Sequence, residues 1–164
     1  MKKLILFFII IPNLLFASSM KMIGEKGKVS EVSKTITIYM YDNYYKPNEI
    51  NIKKGETIKF IVFNYGELVH EFNIATKEMH IKHQPEMMKM VENQILLGGK
   101  IDKKKMKEMA KKDHSMSHSH SNSVLLEPNQ SAELIWKFST DANLEAACNV
   151  PGHYESGMIA KINK

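Results

Sequence analysis

Residues 148–158 read Cys148-Asn149-Val150-Pro151-Gly152-His153-Tyr154-Glu155-Ser156-Gly157-Met158, and the only cysteine of the chain heads that run. A thiolate, an imidazole and a thioether recur there five residues apart, on a segment that Pro151-Gly152 must turn tightly. Two imidazoles and one thiolate in a plane, with a long weak bond to methionine, form the donor set of a mononuclear copper centre. The run supplies three of those four donors. His70, after an apolar strand-like stretch and a short loop, is the candidate for the fourth. The competing reading of Cys148 is a buried free thiol acting as a small hydrophobe, and the spacing to His153 and Met158 speaks against it.

The N-terminus sharpens this. Lys2 and Lys3 precede an apolar run from Leu4 to Phe16, followed by Ala17-Ser18-Ser19. That is the pattern of a secretory signal peptide over residues 1–19, too short and wrongly flanked for a spanning helix. An uncleaved N-terminal anchor is the weaker alternative, because Pro12 and Asn13 interrupt the run. The expected mature chain, 20–164, is one domain exported to the periplasm, with no integral membrane segment once the signal is cleaved. Exported cysteines normally pair. A lone one needs protection, and metal ligation gives it by engaging the deprotonated sulfur.

The formal charge of +5 falls to +3 without Lys2 and Lys3. Lysines 100, 103, 104, 105, 107, 111 and 112 face only Asp102 and Glu108 within their segment, so the basic balance is local to it. There is no arginine and no interleaving of basic and aromatic residues, so no nucleic-acid partner is expected.

Two blocks have β character. Thr35–Tyr41 and Glu49–Lys53 alternate, Thr57–Phe63 is richly apolar, and Glu71–Ala75 begins just after His70. The pattern returns at Ser123–Leu126 and Ala132–Phe138, with Pro128-Asn129 between them. Leu144–Cys148 and Met158–Ile162 bracket the ligand run. Short strands with turn signals at intervals predict an all-β, Greek-key sandwich, in which Trp136 and Phe138 are core.

Residues 77–122 are a different material. They hold Met79, Met87, Met88, Met90, Met106, Met109 and Met116, and five of the seven histidines: His80, His83, His114, His118 and His120. Pro85-Glu86 reads as a helix start, positions 87, 88, 91 and 95 as an apolar stripe, and Gly98-Gly99 as its end, with a second helix through Lys112. Residues 114–121, alternating serine with histidine and methionine, read as a low-complexity mobile loop. Two readings of this insert stay open. Met79, His80 and His83, with Met87 or Met88, form a second copper site in which thioethers suit Cu(I); or the methionines pack against the sandwich and the histidines belong to a linker. His114, Met116, His118 and His120 suit weak copper capture rather than a defined site.

The Cys-x4-His-x4-Met loop and the segment Asn64-Tyr-Gly-Glu-Leu-Val-His70-Glu-Phe resemble the cupredoxins, the family of plastocyanin, azurin and rusticyanin. The resemblance covers about 33–76 and 123–164. With the His/Met-rich insert, the whole is similar to periplasmic copper-resistance cupredoxins of the CopI type. It implies a cupredoxin sandwich with a helical insert, copper (Cu+/Cu2+) as cofactor, His70, Cys148 and His153 as equatorial ligands of a type-1 site, and Met158 as the axial one. Glu71 is a departure, since many members carry asparagine directly after the first histidine.

Two functions follow. One is periplasmic copper handling and tolerance, with redox activity. The other is electron transfer as a shuttle between periplasmic or membrane redox-partner proteins. The insert favours the first, because a shuttle needs no additional soft ligands. An enzyme is not expected, since one type-1 site lacks the extra histidine sets that multicopper oxidases and nitrite reductases need for substrate, and one cysteine excludes a two-cysteine binuclear site.

Overall fold

The computed structural model describes residues 22–164; the signal-peptide expectation for residues 1–19 lies outside the described residues. Ten strands follow in chain order: β1 (Glu25–Lys26), β2 (Val32–Tyr41), β3 (Tyr44–Lys46), β4 (Glu49–Asn51), β5 (Thr57–Asn64), β6 (His70–Ala75), β7 (Ser123–Leu126), β8 (Ser131–Lys137), β9 (Glu145–Ala147) and β10 (Ile159–Asn163). Two helices, α1 (Lys77–Glu92) and α2 (Lys103–Ala110), lie between β6 and β7, followed by a 3-10 turn at His114–Ser117. No described helix is long and apolar enough to cross a membrane.

The strands make two five-stranded sheets, in the orders β1-β8-β5-β2-β3 and β4-β10-β9-β6-β7. The pairs β2–β5 and β4–β10 are parallel, and the others are antiparallel. Alternation along β2, β5 and β8 sends Ile38, Met40, Ile58, Phe60, Val62, Leu134 and Trp136 inward, where they meet Phe72, Ile74, Ala146 and Ala160 of the second sheet. Trp136 is fully buried and satisfies its indole N–H on the Ile23 carbonyl at 3.2 Å, the partner a buried indole requires. Phe138 is in the same core, against Phe60. Strands β1 and β3, of two and three residues, escape the sequence reading.

The helix boundaries differ from the sequence expectation. α1 begins at Lys77, where the Thr76 hydroxyl accepts the Met79 N–H at 3.3 Å; such a cap stabilises a helix by about 1 kcal/mol. Pro85 therefore lies inside the helix, giving up one backbone bond rather than starting the run. The helix stops at Asn93, well before Gly98-Gly99, and Gln94 takes a positive φ of 53°. The inward stripe is His80, the half-buried His83, Met87 and Met90, while Met88 (45 % exposed) and Val91 face outward. One helix face thus carries histidines in its first half and methionines in its second.

The methionine half meets a second apolar cluster of Val69, Met87, Met90, Ile95, Leu96, Ile101 and Met116, with Met106 and Met109 of α2 against it. Unbranched, polarizable methionine fills such an irregular seam. The expected mobile loop at 114–121 is instead packed. Met116 is buried, and Asn122 is buried with its amide donating to Asn73 Oδ1 and the Ile74 carbonyl. Serine-histidine alternation hides this anchoring, because its partners lie on β6.

Candidate metal centre

Three elements converge at one end of the sandwich. β6 starts at His70, β9 delivers Cys148, and the loop to β10 carries His153 and Met158. That loop closes on itself. The Cys148 N–H donates to the Met158 carbonyl at 3.2 Å, and the Met158 N–H to the His153 carbonyl at 3.0 Å. Gly152 and Gly157 take φ of +87° and +91°, which a Cβ would strain. The tight turn brings an imidazole and a thiolate five residues apart onto one point.

His70 Nδ1 lies 3.1 Å from His153 Nδ1, and Cys148 Sγ lies 3.9 Å and 3.4 Å from them. Donors at about 2.0–2.3 Å from one ion in a trigonal plane stand about 3.5–3.7 Å apart, so this triangle fits a single ion. Met158 is buried in the same core cluster as Cys148. Cys148 and His70 are buried and His153 half-buried.

Each donor is prepared for the role. Asp42, missed in the sequence, accepts the His70 Nε2–H at 3.0 Å, leaving Nδ1 as the free donor. Its Oδ1 is fixed by the N–H groups of Glu67 and Leu68 at 2.9 and 3.2 Å. Burial pushes the Asp42 carboxyl up, but the His70 bond and these two N–H groups outweigh it and hold the group below its ordinary range. Burial pushes His70 down against the pull of Asp42, and pushes His153 down with the help of His70; neutral imidazole is the metal-binding form. Gly66 is required here, since a Cβ would stand 2.3 Å from Asp42 Oδ1 and 2.6 Å from His70 Nε2.

Glu71, the departure from the family pattern, serves two directions. Its backbone N–H donates to Cys148 Sγ at 3.3 Å. Its buried carboxylate accepts from Asn73 Nδ2 (3.0 Å), Ser123 Oγ (2.7 Å), Asn149 Nδ2 (2.7 Å) and the Asn149 N–H (3.2 Å). Burial opposes its charge, but His118 and His83 outweigh burial and hold the carboxyl well below its ordinary value.

The five insert residues named as a possible second site are divided among several settings. Met79 packs on the main core, Met87 lies in the second cluster, and Met88 faces solvent. His80 is buried and donates from Nδ1 to Asn149 Oδ1 at 3.2 Å, bracing the residue after Cys148. His83 joins a different group. It meets His118 and His120, whose convergence with it the sequence reading missed. Serine spacing disguised them as a linker.

The profile of the cupredoxin-like domain family matches residues 6–97. The chain is 38 % identical over 153 residues to the copper-resistant cuproprotein CopI of Pseudomonas aeruginosa, covering 85 % of this chain and 80 % of that one. It is 27 % identical over 146 residues to the protein of the same name from Vibrio cholerae, covering 87 % and 72 %. Among solved structures, auracyanin of Roseiflexus castenholzii aligns with a TM-score of 0.57 at 19 % identity, over 80 % of this chain and 97 % of its own. Auracyanin B aligns with a TM-score of 0.59 at 10 % identity, over 85 % and 94 %; at those identities the likeness is one of fold. With the ligand loop, the two five-stranded sheets and these relatives together, the chain belongs to the cupredoxin family and is similar to its CopI-type copper-resistance members.

Proposed function

We propose that this chain is a periplasmic, non-enzymatic copper-binding protein of copper tolerance, with copper held by His70, Cys148 and His153 and weakly by Met158. The observation that carries this reading is the 3.1–3.9 Å triangle of His70 Nδ1, His153 Nδ1 and Cys148 Sγ. Similarity to proteins named for copper resistance supports the biological role, and the leader-like N-terminus supports export. Bound copper supplies one-electron chemistry between Cu(I) and Cu(II). The chain's own residues fix the conditions for it. Asp42 holds the His70 ring, the Glu71 N–H lowers the electron density on sulfur, and burial of Cys148 and Met158 excludes water from that side.

The half-buried His153 favours a second reading, electron exchange with a partner, since its ring is the part of the centre nearest solvent. Titration of the copper-free protein with Cu(II) tests the site: a visible thiolate-to-copper charge-transfer band must appear and be lost in Cys148→Ser. A deletion strain separates the two roles. Sensitivity to added copper with intact respiration supports tolerance; a respiratory defect with unchanged tolerance supports the shuttle.

A further inference from the structure

Beyond the cysteine site, α1 and the segment after the 3-10 turn bring three imidazoles together. Ring centroids stand 5.5 Å apart for His83–His118, and 5.3 Å for His83–His120 and for His118–His120. Potential ligand atoms of Glu71, His83 and His118 lie within 4.8 Å of one another, and so do those of His83, Glu86 and His120. The group is enclosed, with the side chains of His83, His118 and Glu71 12 %, 4 % and 0 % exposed.

The hydrogen bonds sort the ring nitrogens. Glu86 Oε2 takes His83 Nδ1 at 2.8 Å, and Glu71 Oε1 takes His118 Nε2 at 2.8 Å. A carboxylate on one ring nitrogen is the usual support for a histidine that ligates through the other. His83 Nε2 is that other nitrogen: it is buried, and its one contact is a long ion-pair approach of 3.4 Å to Glu71 Oε1 that falls short of a well-aligned hydrogen bond. Buried polar atoms are nearly always well satisfied, and this long approach between a ring nitrogen and a carboxylate is one that an ion could bridge.

Glu71 and Glu86 bring two carboxylates to the three imidazoles, a nitrogen and oxygen donor set that suits a dication. A cavity of about 350 Å³ bounded by Ile101, Met106, His118, His120 and Ser123 opens onto the group and gives an ion a way in.

We propose that His83, His118 and His120 form a second metal site for divalent copper, with Glu71 and Glu86 as supporting carboxylates. Nitrogen and oxygen donors without sulfur favour Cu(II) over Cu(I), and copper leads the divalent series for such ligands. The insert therefore holds copper in the oxidised state, through histidines, while its buried methionines pack. Glu71 joins the two sites, its carboxylate in the histidine group and its N–H on Cys148 Sγ.

The test loads the full chain with Cu(II) chloride against excess glycine, counting retained copper and recording visible and electron paramagnetic resonance spectra. Wild type retains two equivalents, one with the thiolate band and one with the wide hyperfine splitting of a nitrogen–oxygen site. Cys148→Ser retains one, without the band. His118→Gln and His120→Gln each keep the band, which reports an intact sandwich, and fall to one equivalent. A wild type that retains a single equivalent overturns the second site, as do histidine variants that still retain two. Should those variants lose the band, His83→Gln and zinc(II) titration of Cys148→Ser decide: one zinc equivalent lost in Cys148→Ser/His83→Gln supports the site, and unchanged zinc overturns it. Loss of the thiolate band from wild type alone would instead count against the cysteine site, leaving the histidine site to its own readout.

Discussion

Glu71 donates its backbone N–H to Cys148 Sγ at 3.3 Å, while its carboxylate runs away from the sulfur to accept from Asn73, Ser123, Asn149 and His118. The N–H favours the thiolate and the carboxylate charge opposes it, so the hydrogen-bond donors and histidines around that carboxylate offset its effect on the sulfur. The buried carboxylate is the polar hub between β6, β7, the ligand loop and the insert.

Replacing it should separate those two roles. Glu71→Leu strands several buried donors and should destabilise the copper-free protein by about 3–5 kcal/mol. Glu71→Gln keeps part of the network and should cost about 1–3 kcal/mol. Both retain the backbone N–H, so the Gln variant should keep the thiolate band at saturating copper. Urea unfolding followed through Trp136 measures the first effect and visible absorption the second; equal stability of wild type and Glu71→Leu would refute the hub.

Asp42 orients His70 without touching the ion. Asp42→Ala should therefore lower copper affinity at the cysteine site about 10–100-fold while leaving the band intact at saturation. Competition with a chelator of known affinity gives the ratio. Unchanged affinity would mean that packing and Gly66 hold the ring by themselves.

Cys148 has the clearest pH dependence. Burial pushes its thiol up to about 12, with the Glu71 N–H opposing and the Glu71 charge adding to the rise, from an ordinary value of 9.0. In the copper-free protein this contributes stability that is full below 9.0 and is lost as pH rises toward 12, since the unfolded chain sheds the proton first. Copper must displace that proton, so loading below pH 9 should release about one proton from sulfur. Proton release in weakly buffered titrations, and unfolding midpoints at pH 7 and 10.5, check both; Cys148→Ser should show neither component.

Much of the centre was readable because its donors are local. Cys148, His153 and Met158 share one loop, and alternation in the Thr35–Tyr41 and Ala132–Phe138 stretches marked the sheets around it. What escaped was carried by tertiary approach. Asp42 lies in the β2–β3 turn and meets His70 only through folding. His118 and His120 reach His83 because Met116 and Asn122 anchor the chain on either side of them, and no spacing rule expresses that. Pro85 misplaced the helix start because a proline resembles a first-turn signal, whereas the Thr76 hydroxyl caps the helix. The stripe read at 87, 88, 91 and 95 has Met87 and Ile95 inward as expected, but it takes in Met88 and Val91, which face solvent, in place of Met90.

The inward methionines yield the last prediction. Met87 is fully buried in one apolar cluster with Val69, Met90, Ile95, Leu96, Ile101 and Met116. As packing, Met87→Leu conserves volume and should cost less than about 1.5 kcal/mol, while Met87→Ala leaves a cavity and should cost about 2–5 kcal/mol. On the packing reading neither change alters the number of Cu(I) or Cu(II) equivalents bound. A ligand would behave in the opposite way: leucine would be as damaging as alanine for metal retention, and stability in the absence of copper would hardly move. Measuring both quantities in both variants therefore distinguishes a methionine that fills the seam from one that captures copper, and a lost equivalent in Met87→Leu would return the thioether to the metal.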